Sequence, residues 1–239
     1  MQCVCILLGE LETRLSTLVP LLALAVFPLV AVGFPNPVAL YWEFKKGSAP
    51  MPPDVTDKAE RAAPYMLFPM HALVVILVLF MMLRHSVTAA QVGIHLENWE
   101  TQLLVGCVAG VSWVGFQRLL LLFVPDIRQN WTTHYLQRGS AVFWVSVYIP
   151  GAFAEEFWRA FCLFALTNTG HSVSWSVVLT AIACAAGHAR LRFGALMAGI
   201  FGIGAALLYL WLGSLLATAS GHLVANLGGL YWIRRARPE

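Results

Sequence analysis

Hydrophobic residues run through this chain in blocks of about 20, with short polar stretches between them. A helix needs about 20 apolar residues to cross a bilayer. Seven blocks meet or approach that length: residues 15–34, 64–84, 102–124, 139–166, 172–190, 193–212 and 214–233. The last three are separated only by Arg190-Leu191-Arg192 and by Gly213-Ser214. This pattern predicts an all-α fold, a polytopic transmembrane bundle of about seven spans.

The polar stretches predict little further structure. Residues 35–63 hold Pro35, Pro37, Pro50, Pro52 and Pro53 and a charged stretch from Asp54 to Arg61. That many prolines forbid one long helix, so a loop followed by a short interfacial turn is expected. Residues 86–100 mix polar and apolar positions and end His95-Leu96-Glu97-Asn98-Trp99-Glu100. They read as a short helix lying at the interface, with Trp99 at headgroup level. Gly194, Ala198, Gly199, Gly202 and Gly204 predict close helix packing in the C-terminal half.

Composition supports the membrane reading. Of 239 residues, 59% are hydrophobic and 11% charged, against about 25% charged in an ordinary soluble domain. The length suits one membrane domain and leaves no room for a large soluble one. No basic run with interleaved aromatics is present, which argues against a nucleic-acid partner. The five cysteines are scattered at positions 3, 5, 107, 162 and 184 without zinc-site spacing, so they read as packing residues.

The cations set an expected orientation. Eleven fall in residues 35–63, 125–138, 190–192 and the tail from 234, and only Arg14 and Arg84 fall in the opposite set. Positive residues collect on the cytoplasmic side. The tail is therefore expected in the cytoplasm and the N-terminus outside, in a bacterial inner membrane. The expected organisation is N-terminal helices and loops over 1–138, a catalytic core over 139–233, and a basic tail over 234–239.

The chemistry-bearing residues lie inside the blocks. Between 139 and 166 the charges are Glu155, Glu156 and Arg159 alone. Charged side chains at membrane depth are costly and mark functional sites. Arg159 lies four residues after Glu155, which predicts a pair on one helix face. Glu156 points about 100° away and needs another partner. His188 follows Cys184-Ala185-Ala186-Gly187, and His222 and Asn226 lie four apart on one face. One such histidine could be a packing residue, but two carboxylates, two histidines and an amide in one half of the chain suggest chemistry. A carboxylate can take a proton from water, a histidine can relay it, and His and Asn donors can hold an oxyanion. Neither His-Glu-x-x-His nor Gly-x-Ser-x-Gly is present, so a zincin and a serine nucleophile are disfavoured. The separate depths of these residues predict tilted or broken helices around a wet cavity among the last four spans.

In order and spacing, these residues resemble the CAAX protease and bacteriocin-processing (CPBP, or Abi) family of intramembrane proteases. That family shows Glu-Glu-x-x-x-Arg, then Phe-x-x-x-His, then His-x-x-x-Asn. Here the first motif is Glu155-Glu156-x-x-Arg159, one residue shorter. The second ends at His188 with Cys184 in place of Phe, and the third is His222 to Asn226. Tyr209 to Leu215 also resembles the family, and the likeness covers roughly residues 139–230.

The resemblance implies a glutamic-type endopeptidase acting on a membrane-anchored protein or peptide. Glu155 would activate water with help from His188, and His222 and Asn226 would stabilise the oxyanion. Glu156 and Arg159 would bind substrate or support the site. No cofactor is expected. The resemblance leaves zinc open, and no ligand spacing demands it. The alternatives are a non-catalytic membrane protein of the same scaffold, with an immunity or partner-binding role, and a proton-relay transporter. The absence of an inverted repeat disfavours the transporter.

Overall fold

The computed structural model describes residues 18–31, 52–123, 141–189 and 193–235. They form seven helices: α1 (Leu18–Ala31), α2 (Pro53–Arg84), α3 (Trp99–Phe123), α4 (Ala141–Asn168), α5 (Val173–Gly187), α6 (Phe193–Leu212) and α7 (Leu215–Arg235). Each predicted block overlaps one of them. The fold is an all-helical membrane bundle. By length and composition three helices can cross a membrane, at Tyr65–Arg84, Trp99–Leu120 and Gly194–Leu212, while α1 and α5 are shorter apolar helices. The protein is an integral, multi-pass membrane protein. Large apolar side chains such as Leu29, Phe80, Leu83, Leu122 and Trp211 face outward, as lipid contact requires.

Two expectations for the polar stretches need correction. The stretch Asp54 to Arg61 is neither loop nor interfacial turn but the first turns of α2. Pro52 caps that helix and Pro53 takes its first position, where a missing N–H costs nothing. Asp54 adds a favourable charge near the positive end of the helix dipole. Residues 86–98 do not form an interfacial helix. They hold a single 3-10 turn, Ala90–Val92, ended by Gly93 at φ 77°. Residues 32–51 and 124–140 and the tail from 236 lie outside the described residues, as do Arg190 and Arg192. Much of the charge asymmetry behind the expected orientation therefore lies there too.

That 3-10 turn is tied to the α6–α7 junction. The Leu215 amide donates to the Gly93 carbonyl at 2.9 Å. His95 Nε2–H donates to the Gly213 carbonyl at 3.0 Å. A Cβ on Gly93 would sit 2.6 Å from the Gly213 oxygen, so no larger residue fits. Gly213, at φ 60°, breaks the helix, and the Ser214 hydroxyl caps α7 by accepting from the Ala217 amide at 3.1 Å. The register of α7, and so the height of His222 two turns later, is set at this knot.

The helices pack chiefly as α3 on α7, α5 on α6 and α2 on α4, and α4 also touches α5, α6 and α7. Gly106 and Gly221 bring α3 and α7 almost to backbone contact, since a Cβ on Gly221 would lie 2.9 Å from the Gly106 oxygen. Of the small residues predicted to tighten α6, Gly199 and Gly202 pack on α5: an added Cβ would lie 3.3 Å from Ala185 Cβ and 3.4 Å from Ala181 Cα, respectively. A Cβ added on Gly204 would meet no other element within 4 Å among the described residues. Helix α4 is central. Phe157, Trp158, Phe161 and Leu163 are all buried, and Pro150 sits inside the continuous helix. A helix carrying three charges is kept from lipid by surrounding it with protein.

Candidate active site

Adjacent residues on a helix point about 100° apart, so Glu155 and Glu156 face different neighbours. Glu156 and Arg159 are each 1% exposed. Arg159 Nη1 donates to Glu156 Oε1, and His222 Nδ1–H donates to the same oxygen at 2.7 Å. Arg159 Nη2 reaches Cys184 Sγ at 3.3 Å. The expected pairing of Arg159 with Glu155 is thus replaced by a pairing with Glu156, three residues before it. Positions i, i+3 and i, i+4 are both neighbours on a helix surface, and the two lone pairs of Glu156 Oε1 can serve Arg159 and His222 together.

Glu155 faces α5. His188 Nε2 lies 3.9 Å from Glu155 Oε1, with the side chains 26% and 11% exposed. This pair therefore forms the more open side of the cluster. His188 follows the last residue of α5, and its Nδ1–H donates to the Cys184 carbonyl at 2.9 Å. That hydrogen bond assigns the tautomer and turns Nε2 toward Glu155. A gap of 3.9 Å is too long for a direct hydrogen bond and suits one bridging water.

Three helices far apart in sequence thus bring Glu155, Glu156 and Arg159 together with His188 and His222. Asn226, one turn beyond His222, is half-buried and takes part in none of these hydrogen bonds. Residues 137–228, which contain all of them, match the family model described as Type II CAAX prenyl endopeptidase Rce1-like. Over this stretch the chain is similar to the Rce1-like family. No curated protein and no solved structure matches the chain. The match supports a CAAX-type membrane endopeptidase kind of function, with a membrane-associated protein as its kind of substrate.

Helices outside the Rce1-like core brace it. Phe27 of α1 packs on Trp158 and on His188, with ring centroids 5.1 Å and 5.7 Å apart. Trp158 Nε1–H donates to the Ala23 carbonyl at 2.7 Å. Gly187 leaves the space that the Phe27 ring fills. His222 is backed by Phe201 of α6, with centroids 4.7 Å apart.

Sequence reasoning passed over two members of this cluster. Cys184 was read as a packing residue, although its sulfur meets Arg159. His71 of α2 is 5% exposed and lies within electrostatic reach of Glu155, His188 and His222. Its Nδ1 has no hydrogen-bond partner among the described residues. A histidine within an apolar span was the available signal, by the rule that singled out the others.

His71 is seated by Gly151, one turn before Glu155. A Cβ there would meet the imidazole at 2.9–3.5 Å. Gly151→Ala is therefore expected to push α2 away from α4 and to lower stability by about 1–3 kcal/mol, the usual cost of overpacking. Thermal unfolding in detergent reads this directly, and a melting temperature equal to the wild type would show that the ring gives way freely.

Proposed function

We propose that the Rce1-like core is a glutamic-type intramembrane endopeptidase, with Glu155 as general base and no metal in the chemical step. The observation that carries this reading is the Glu155–His188 pair at 3.9 Å, its histidine pinned through Nδ1. A water between them donates one proton toward the carboxylate and the other toward Nε2. Its oxygen attacks the scissile carbonyl carbon as Glu155 takes the proton. The developing oxyanion is held by His222 and by the Asn226 amide. Glu155 then returns the proton to the leaving nitrogen as the carbon–nitrogen bond breaks. Glu156 and Arg159 support the site by holding His222 from behind.

The proposed substrate class, supported by the family match, is a membrane-anchored protein or peptide with a processed C-terminus, such as a prenylated CAAX sequence. The test uses the full chain in liposomes with a prenylated CAAX peptide and follows release of the C-terminal fragment. Cleavage lost in Glu155→Gln and His188→Ala is expected. No cleavage by the wild type would favour the non-catalytic scaffold, and equal cleavage by all three would remove Glu155 and His188 from the chemistry.

The proposed setting is a bacterial inner membrane, with the C-terminus in the cytoplasm on the strength of the cation asymmetry. A fluorescent-protein fusion to the tail should glow and an alkaline phosphatase fusion stay inactive. The reverse result would invert the orientation.

A further inference from the structure

We propose that Glu155, Cys184 and His188 form a binding site for a zinc-class divalent cation, which shuts off the peptidase by occupying the position of the attacking water. One ligand atom from each residue lies within 4.8 Å of the others. Thiolate, imidazole and carboxylate together suit zinc or cobalt and not magnesium or calcium. Zinc bonds of about 2.0–2.3 Å would draw these atoms together by a few tenths of an ångström or more. The present Glu155–His188 gap of 3.9 Å is near that span.

The surroundings fit a cation better than an empty pair of acceptors. His188 donates its other ring N–H to the Cys184 carbonyl at 2.9 Å, the outer-shell bond that orients a metal-binding histidine. Arg159 Nη2 lies 3.3 Å from Cys184 Sγ, placed to hydrogen-bond a coordinated thiolate. Charge balances as well. Arg159 is neutralised by Glu156, and a divalent ion is neutralised by the Glu155 carboxylate and the Cys184 thiolate, whose proton leaves to bulk water on binding. Net neutrality matters where uncompensated charge is costly. The partial exposure of His188 gives the ion a way in.

Bound this way, the ion takes the Glu155 lone pair that would accept a proton and the Nε2 that would hold the water. The inhibitory half of the proposal rests on the glutamic reading above, and the binding half does not. The sulfur ligand is particular to this chain, which carries Cys184 where the resembled motif has Phe.

The test loads purified full-length protein in detergent with Co²⁺ and records the near-ultraviolet spectrum without substrate. About one ion per chain and a thiolate-to-cobalt charge-transfer band are expected. Cys184→Ser retains size and a partner for Arg159. It should lose the band, weaken binding by about 100-fold or more, and leave whatever cleavage the variant retains insensitive to Zn²⁺. Glu155→Gln, which removes the anionic oxygen ligand, should also weaken Co²⁺ binding. A wild type with no band, or a band that survives in Cys184→Ser, overturns the site. Zn²⁺ that binds yet leaves cleavage unchanged overturns the inhibition. Loss of the peptidase reading alone leaves the cobalt spectrum intact, so the two failures are separable.

Discussion

Glu155→Gln is expected to lower the cleavage rate by about 10²–10⁴-fold, the range that a general base supplies, and to leave the protein folded. Glutamine preserves shape and hydrogen bonding but cannot take a proton from water. The fold should tolerate it because Glu155 stands outside the buried ion pair: Arg159 and His222 are held by Glu156. The 3.9 Å gap to His188 is likewise not a bond whose loss strands a buried donor. The measurement is the initial rate on a prenylated CAAX peptide in liposomes, with the melting temperature taken alongside. A Glu155→Gln rate within tenfold of the wild type would remove Glu155 as the base.

Glu156→Ala should show the opposite separation, a protein that fails to hold together. It strips the carboxylate from Arg159, a guanidinium that is 1% exposed and whose Nε already lacks a partner among the described residues. Breaking a buried pair by removing one member costs about 3–5 kcal/mol, because the remaining charge stays buried. It also frees His222, whose Nδ1–H loses its 2.7 Å acceptor. Thermal unfolding in detergent should fall well below both the wild type and Glu155→Gln. Glu156→Gln, which retains an acceptor oxygen, should lie between. If Glu156→Ala melts with the wild type, the carboxylate is not what holds Arg159, and its assigned role is wrong.

These two neighbours illustrate how far the sequence could be read. That Glu155, Glu156 and Arg159 lie on one helix, and that the helix is hidden from lipid, follows from three charges in a long apolar run. Which glutamate would meet Arg159 did not follow. The i, i+4 rule favours Glu155, but i, i+3 is equally close, and His222 decides between them by bridging to Glu156. Similarly, Pro52 and Pro53 were read as breakers, when proline at a helix start is neutral. Whether a proline cluster precedes a helix or interrupts it depends on what the following turns can pack against. For α2, that surface is α4.

The sequence by itself determined the helical blocks, the membrane class and which blocks carry polar residues, since each is a local property of composition and spacing. The tertiary structure alone decided the partnerships: Glu155 with His188, Glu156 with Arg159 and His222, and the placing of Cys184 and His71 beside them. The physical reason is the rotation of α4 about its own axis. Two residues about 100° apart exchange neighbours when the helix turns by that angle. Here the rotation is held by contacts remote in sequence, Trp158 on Ala23 and Phe27, and Gly151 on His71.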